Sequence, residues 1–298
     1  ITPVFNDNNK IINLVSIDTD ITKLKETEDE LRQKNMDIMD SISYAKRIQK
    51  AILPAQQDLD KIPGDYFVFY EPRDIVSGDF YWVSNKKDTV IIAVADCTGH
   101  GVPGAFMSML GISFLMKIVN DKGITNPGKI LDHLRENVIL TLHQTGKPED
   151  TFDGMDISLI SINPGTKKLT FSGAMNPLIL LRKSSQAGKD SGMQLPEIVE
   201  LKADRMPVGF HPRLGASFST KELDVKANDT AYLFTDGLID QFGGPADKRF
   251  NKENFRMLLR EIYQKPADIQ KAVLKDTLAS WKGKNDQVDD VLVMGICF

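Results

Sequence analysis

The stretch Thr89–Leu110, TVIIAVADCTGHGVPGAFMSML, decides how the rest of the chain is read. Its first part, Val90 to Ala95, is an unbroken apolar run, the pattern of a strand buried on both faces. Asp96 follows at the strand's end. Gly99, Gly101 and Gly104 then make a tight turn, and a helix begins with Pro103 in its first turn. A carboxylate at the rim of a buried strand is costly unless something positive holds it. A hard divalent cation takes oxygen ligands, so Asp96 reads first as a metal ligand.

Residues Gly99 to Gly104 also match G-x-G-x-x-G, the dinucleotide-binding fingerprint. That fold needs a second parallel strand after the helix, ending in an acidic residue about 20 positions on. Here the helix runs to about Val119 and meets the turn Asn120-Asp121-Lys122-Gly123. The next segment has helical spacing (Ile130, Leu131, Leu134, Val138, Leu142), so no such strand is expected. Nucleotide binding stays as the weaker alternative.

With 298 residues, 41% apolar and 26% charged, the chain can bury a sizeable core and form one large domain or two small ones. Its net charge of −4 and lack of a basic block argue against nucleic acid as a partner. Cys97 and Cys297 are far apart, which fits neither a disulfide framework nor a zinc site and suits a reducing cytoplasm. No apolar run is expected to approach the ~18 residues of a membrane span, and no signal peptide is expected. The chain opens at Ile1 in mid-pattern and reads as a piece of a longer protein.

Residues 1–20 read as a hairpin around Asn6-Asp7-Asn8-Asn9. Such a pair is marginal alone, so it is expected to close a domain cut off upstream. From Thr22 to about Leu53, Leu24, Leu31, Ile38, Ala45 and Ile52 recur every seven residues, a heptad seam. The second seam (Ile21, Glu28, Asn35, Ile42, Gln49) is polar in its middle. A parallel dimeric coiled coil is expected, with simple packing on the following domain as the alternative. Residues 21–58 are accordingly read as a signalling linker, and 59–298 as one domain.

Within that domain, strands are expected at 66–70, 78–83, 156–162, 168–172, 177–181, 197–201, 216–223, 230–234 and 291–298, besides the central one. Helices are expected at 252–263 and 268–281 besides the first two, and a Gly/Ser-rich excursion at 184–195. Two helices early, two late and strands between them favour antiparallel sheets with helices on the outer faces, an α+β fold.

Three other places repeat the logic of Asp96. Asp79 lies in Ser77-Gly78-Asp79-Phe80, Asp236 ends the strand Tyr232-Leu233-Phe234, and Asp289-Asp290 precede the last strand. Four carboxylates at buried strand ends, with no His or Cys among them, suit a dinuclear magnesium or manganese site. Arg73, just before the Asp79 strand, either clamps a substrate phosphate or pairs with Asp74 or Glu71. His100 is either a proton donor or a residue that shapes the turn. Cys97 reads as a small buried residue, and Met107, Met109 and Met116 as core filling. Asp153 and Asp156, flanking Gly154, are explained by turn chemistry and left out of the site.

The segments SGDFYW (77–82), VADCTGHGVPGAFMSM (94–109), FTDGLID (234–240) and DDVLVMGI (289–296), in this order, resemble the motif series of the metal-dependent protein phosphatases of the protein phosphatase 2C (PPM) class. The branch they resemble is the bacterial one typified by sporulation stage II protein E and stress-response sigma-factor phosphatases. YAKRIQKAILP (44–54) resembles the helix entering that domain, and IINLVSIDTDIT (11–22) the end of a PAS sensor domain.

The resemblance implies an αββα sandwich of two antiparallel sheets with two Mn2+ or Mg2+ ions at one edge. It implies that Asp96 bridges the ions, with the main-chain carbonyl of Cys97 on one. Asp236 would complete the first, and Asp79 and Asp289 would hold the second. The implied reaction is hydrolysis of phosphoserine or phosphothreonine on a partner protein, with a STAS-type anti-sigma-factor antagonist as the candidate. An N-terminal helical homodimer would relay a sensor's signal, and a catalytically weak scaffold of the same fold is the alternative. Two departures stand out: Cys97 where many relatives have glycine, and Leu292 where the last motif usually carries Thr or Ser.

Overall fold

A computed structural model describes residues 2–16, 19–147, 149–184, 196–212 and 215–298. Nearly all of the Gly/Ser-rich segment expected at 184–195 lies outside them. The chain divides into two compact units, Ile1–Tyr44 and Ala45–Phe298. The division falls inside one continuous helix, earlier than the linker boundary expected from sequence.

In the first unit, β1 (Thr2–Phe5) and β2 (Ile11–Val15) pair antiparallel. The Asn6 side chain closes their turn by accepting from the backbone of Asn8 and Lys10. Helix α1 (Thr22–Ile52) starts where Asp20 Oδ1 accepts from Thr22 N at 2.9 Å. Its seam residues Leu24, Leu31 and Ile38 are all more than half exposed in the single chain.

The tail of α1 belongs to the second unit. There Gln49 is buried and makes three hydrogen bonds, from Nε2 to Ser77 O (2.6 Å) and Ser108 Oγ (2.9 Å), and from Ser77 N to its Oε1 (3.2 Å). The chain continues through α2 (Gln56–Leu59), β3 (Asp65–Glu71), β4 (Phe80–Lys86), β5 (Thr89–Cys97), α3 (Gly101–Leu115), α4 (Pro127–Thr141), β6 (Met155–Asn163), β7 (Lys168–Ala174), β8 (Leu178–Arg182) and β9 (Glu197–Leu201). It ends with β10 (Lys221–Asp224), β11 (Thr230–Phe234), α5 (Gly237–Asp240), β12 (Phe242–Gly243), β13 (Lys248–Arg249), α6 (Asn251–Ile262), α7 (Ala267–Lys282) and β14 (Val291–Cys297).

Two five-stranded sheets, both antiparallel throughout, run in the orders β10-β7-β6-β5-β4 and β3-β14-β11-β8-β9. The pleat explains the layering. Ile91, Ala93 and Ala95 point to α3 and α4, while Val90, Ile92 and Val94 point to the other sheet. On the second sheet Val291 and Val293 face α6 and α7, whereas Leu292, Met294 and Ile296 meet the first sheet. This is the expected αββα sandwich, and it explains why both central strands read as continuous apolar runs. Each fully buried Val, Ile, Leu or Met side chain among these contributes about 1.5–3 kcal/mol of transfer free energy. Leu292 is fully buried in the layer between the sheets.

Among the described residues no parallel strand follows α3 in either sheet, as the sequence reading expected, so the dinucleotide fold is not formed. Three expectations are corrected. The strand expected at 78–83 begins only at Phe80, because Gly78 N donates to Asp290 and Asp79 N to Ser77 Oγ instead of joining the ladder. The strand expected at 216–223 shortens to β10, because Ala216 O is taken by Arg135 and Phe218 N by Asp132, both on α4. Met116 is exposed rather than core, since α3 passes into a π-helical turn over Met116–Asp121 that shifts the helical register there. The whole stretch Gly101–Asp121 is long and apolar enough to cross a membrane, yet half of it is buried within the protein, as in a core helix.

Candidate active site

The acids expected at strand ends come together at one edge of the sandwich. Asp96 is the penultimate residue of β5, and directly opposite it in the ladder stands Asp156 of β6. Thr98 joins the same two strand ends, donating from N to Gly154 O at 3.0 Å and accepting from Gly154 N at 2.9 Å. Asp236 follows β11 at the start of α5, and Asp289 precedes β14. Asp79 lies deepest, almost fully buried, with Thr235 Oγ1 donating to its Oδ2 at 2.7 Å. Asp96, Asp156, Asp289, His100 and Cys97 line one cavity of about 310 Å³.

Two glycines make this convergence possible. A Cβ on Gly104 would collide with the Gly99 carbonyl and come within 2.8 Å of Gly78 Cα, so glycine lets the α3 turn meet the loop that carries Asp79. A Cβ on Gly237 would strike the Asp290 carbonyl, where the start of α5 meets β14.

The electrostatics of the cluster separate it from the chain's buried and partnered carboxylates. Asp229, fully buried, is held by Arg182 through contacts of 2.6–3.1 Å. Asp290, also buried, accepts from the backbone of Arg73 and Gly78, both at 2.8 Å. By contrast, none of Asp79, Asp96, Asp156, Asp236 and Asp289 forms an ion pair among the described residues.

Burial first, then Asp236, Asp289 and Asp156, push Asp96 up to about 8. Burial and Asp236 push Asp156 up to about 6. Asp79 is raised well above the carboxylate range by burial and then Asp96, and Asp236 and Asp289 are raised by burial too. Arg73 and His100 oppose only part of the rise at Asp289. This is the field a divalent cation would offset, and an all-carboxylate donor set suits magnesium or manganese. Among the described residues no three His, Cys, Asp or Glu side chains already converge on one point as a finished ligand shell. The fit therefore rests on donor chemistry and field.

Asp79, Asp96, Asp236 and Asp289, read from sequence, thus share one region, with Cys97 at the end of β5 beside them. Burial raises the Cys97 thiol well above its usual range, so it stays neutral. Arg73 Nη1 donates to Val288 O at 2.9 Å. Asp74 pairs instead with His100 Nδ1 at 2.7 Å, in the helix-entry turn. The sequence reading missed Asp156, which only the register of β5 against β6 reveals. It also missed Thr235 and Asp290 as supports of the acids. Asp153 stays out, its carbonyl accepting from Gln144 Nε2.

A family model, Stage II sporulation protein E (SpoIIE), matches residues 86–298. Phosphoserine phosphatase RsbU of Bacillus subtilis is 25% identical over 218 residues, 70% of this chain and 56% of the relative. The chain thus spans little more than half the length of that curated relative. Among solved structures, the SiaA-PP2C domain of Pseudomonas aeruginosa superposes with a TM-score of 0.76 at 30% identity, over 89% of this chain and 98% of that one. The PP2C phosphatase domain of SpoIIE from Bacillus subtilis superposes at 0.58 and 18% identity, over 78% of this chain and 63% of that one, a likeness of fold.

Proposed function

This chain belongs to the SpoIIE family, and from that premise we propose that it is a metal-dependent protein serine/threonine phosphatase. The observation that carries the reading is the edge where five carboxylates, Asp79 buried, Asp96, Asp156 and Asp289 half-buried and Asp236 exposed, meet without an ion-pair partner among the described residues. Asp96, Asp236, Asp79, Asp289 and the Cys97 carbonyl would hold two Mn2+ or Mg2+ ions. Bound there, the ions supply charge that neutralises phosphoryl oxygens and lets a water attack phosphorus at neutral pH.

The chain's own residues prepare that chemistry. Thr235 fixes the Asp79 carboxylate, and the backbone N–H of Asp290 donates to Asp289 Oδ1 at 2.8 Å. Asp290 in turn ties Gly78 and Arg73 to the base of β14. Arg73 stands close enough to Asp289 to temper its charge, which supports a role in meeting the substrate phosphate. Asp74 orients His100 at the cavity's rim.

The substrate proposed is phosphoserine or phosphothreonine on a partner protein, a STAS-type anti-sigma-factor antagonist being the candidate. The printed name of RsbU, a phosphoserine phosphatase, supports the chemical class. The exposed seam of α1 supports pairing with a second copy, and the β1–β2 hairpin is consistent with the tail of a PAS-like sensor whose signal α1 would carry. A scaffold without catalysis is the competing reading, and the complete set of acids counts against it.

The test is release of phosphate from a synthetic phosphoserine peptide with Mn2+ or Mg2+. Turnover abolished by a chelator and restored by metal is expected. Turnover equal with and without metal would overturn the reading.

A further inference from the structure

A second cavity of about 360 Å³ opens beside the acidic one, shares Asp156 with it, and includes Asp236 in its wall. Its floor is apolar. Phe234 at the end of β11 and Phe255 on α6 pack with ring centroids 4.8 Å apart, next to Ile179 and Ile239. Its far rim is cationic, formed by Arg249, Lys252 and Arg256.

Two of these cations are partly neutralised. Arg256 pairs with Glu200 at 2.6 Å, and Arg249 lies 3.3 Å from Asp240 and over the Phe242 ring. Lys252, in the first turn of α6, pairs with no carboxylate among the described residues. Arg256 also approaches Glu253 at 3.9 Å, so Lys252 is the lining cation at this end left without a carboxylate partner among the described residues. The cleft therefore runs from the acid cluster over an aromatic floor to an unmatched cation. Those are the features needed to hold a peptide segment whose phosphate sits at the acids.

We propose that this cleft is a substrate subsite for residues neighbouring the phosphorylated one, taking an apolar side chain on the Phe234–Phe255 floor and a carboxylate at Lys252 and Arg249. It rests on the phosphatase reading above and adds a preference to it: acidic-flanked phosphoserine over basic-flanked. Lys252 is an exposed side chain in a helix's first turn. An acidic replacement there is compatible with the helix dipole, so Lys252→Glu should fold.

The experiment compares two synthetic phosphoserine peptides that share a leucine beside the phosphoserine and carry either glutamates or lysines further out. Wild type, Lys252→Ala and Lys252→Glu are assayed with Mn2+. Each rate is divided by that variant's hydrolysis of a small aryl phosphate on the same preparation, which removes damage to the metal centre. The wild type should favour the acidic peptide by about tenfold in kcat/KM, less at high salt. The preference should shrink in Lys252→Ala and reverse in Lys252→Glu. Equal use of both peptides by all three proteins, with aryl phosphate still hydrolysed, would overturn the subsite and leave the phosphatase intact. No metal-dependent hydrolysis of any substrate would overturn both.

Discussion

Thr235 Oγ1 and Asp79 Oδ2 lie 2.7 Å apart, although Thr235 follows a strand of one sheet and Asp79 precedes a strand of the other. The same hydroxyl accepts from Leu292 N at 3.0 Å, so one buried side chain ties both sheets to a carboxylate of the site. Thr235→Val keeps the shape and removes both bonds. It should cost about 1–3 kcal/mol, because Leu292 N and Asp79 lose a partner inside the protein. Urea denaturation measures that loss. The Mn2+ concentration for half-maximal hydrolysis should also rise, and an unchanged metal requirement would show that Asp79 needs no such support.

Metal and pH should act on stability in opposite directions. Asp96 at about 8 and Asp156 at about 6 both lie above the ordinary Asp value of 3.8, so the metal-free folded protein keeps protons that the unfolded chain has released. Their contribution to stability is complete below about pH 4 and is lost as pH rises through 6 to 8. A divalent cation binds the ionised carboxylates, so Mn2+ should raise Tm more at pH 8 than at pH 5. Calorimetry with and without metal at both values reads this directly. A metal shift of equal size at the two pH values would contradict the raised carboxyls.

The paired acid should behave differently. Arg182→Ala leaves Asp229 buried without its cation, which should destabilise the fold by about 3–5 kcal/mol. The pair lies away from the acidic edge, so the folded variant should keep the wild-type Mn2+ dependence. Chemical denaturation beside a metal titration separates the two effects. A changed metal requirement would mean that this pair and the site are coupled.

How much of this was legible in the sequence follows from what each residue's neighbours could reveal. Asp96, Asp79, Asp236 and Asp289 were visible because each sits where an apolar strand starts or stops. Asp156 was not, since Gly154 beside it explains an Asp as turn chemistry, and only the pairing of Asp96 with Asp156 exposes its position. Asp289 and Asp290 are consecutive, and the sequence does not tell which one turns inward. Asp290 does, because the backbone N–H groups of Arg73 and Gly78 await it there. The sandwich was readable from the two apolar strands. The ends of β4 and β10 were not, being set by side chains from distant segments that capture backbone groups.

The central claim is that the acidic edge holds catalytic metal, and hydrolysis of a small aryl phosphate by the full chain in Mn2+, beside Asp96→Asn, tests it most directly. Loss of about a thousandfold in kcat/KM is expected, on the order of 4 kcal/mol of transition-state stabilisation, in a variant that stays folded. Wild-type turnover and wild-type metal dependence in Asp96→Asn would contradict it.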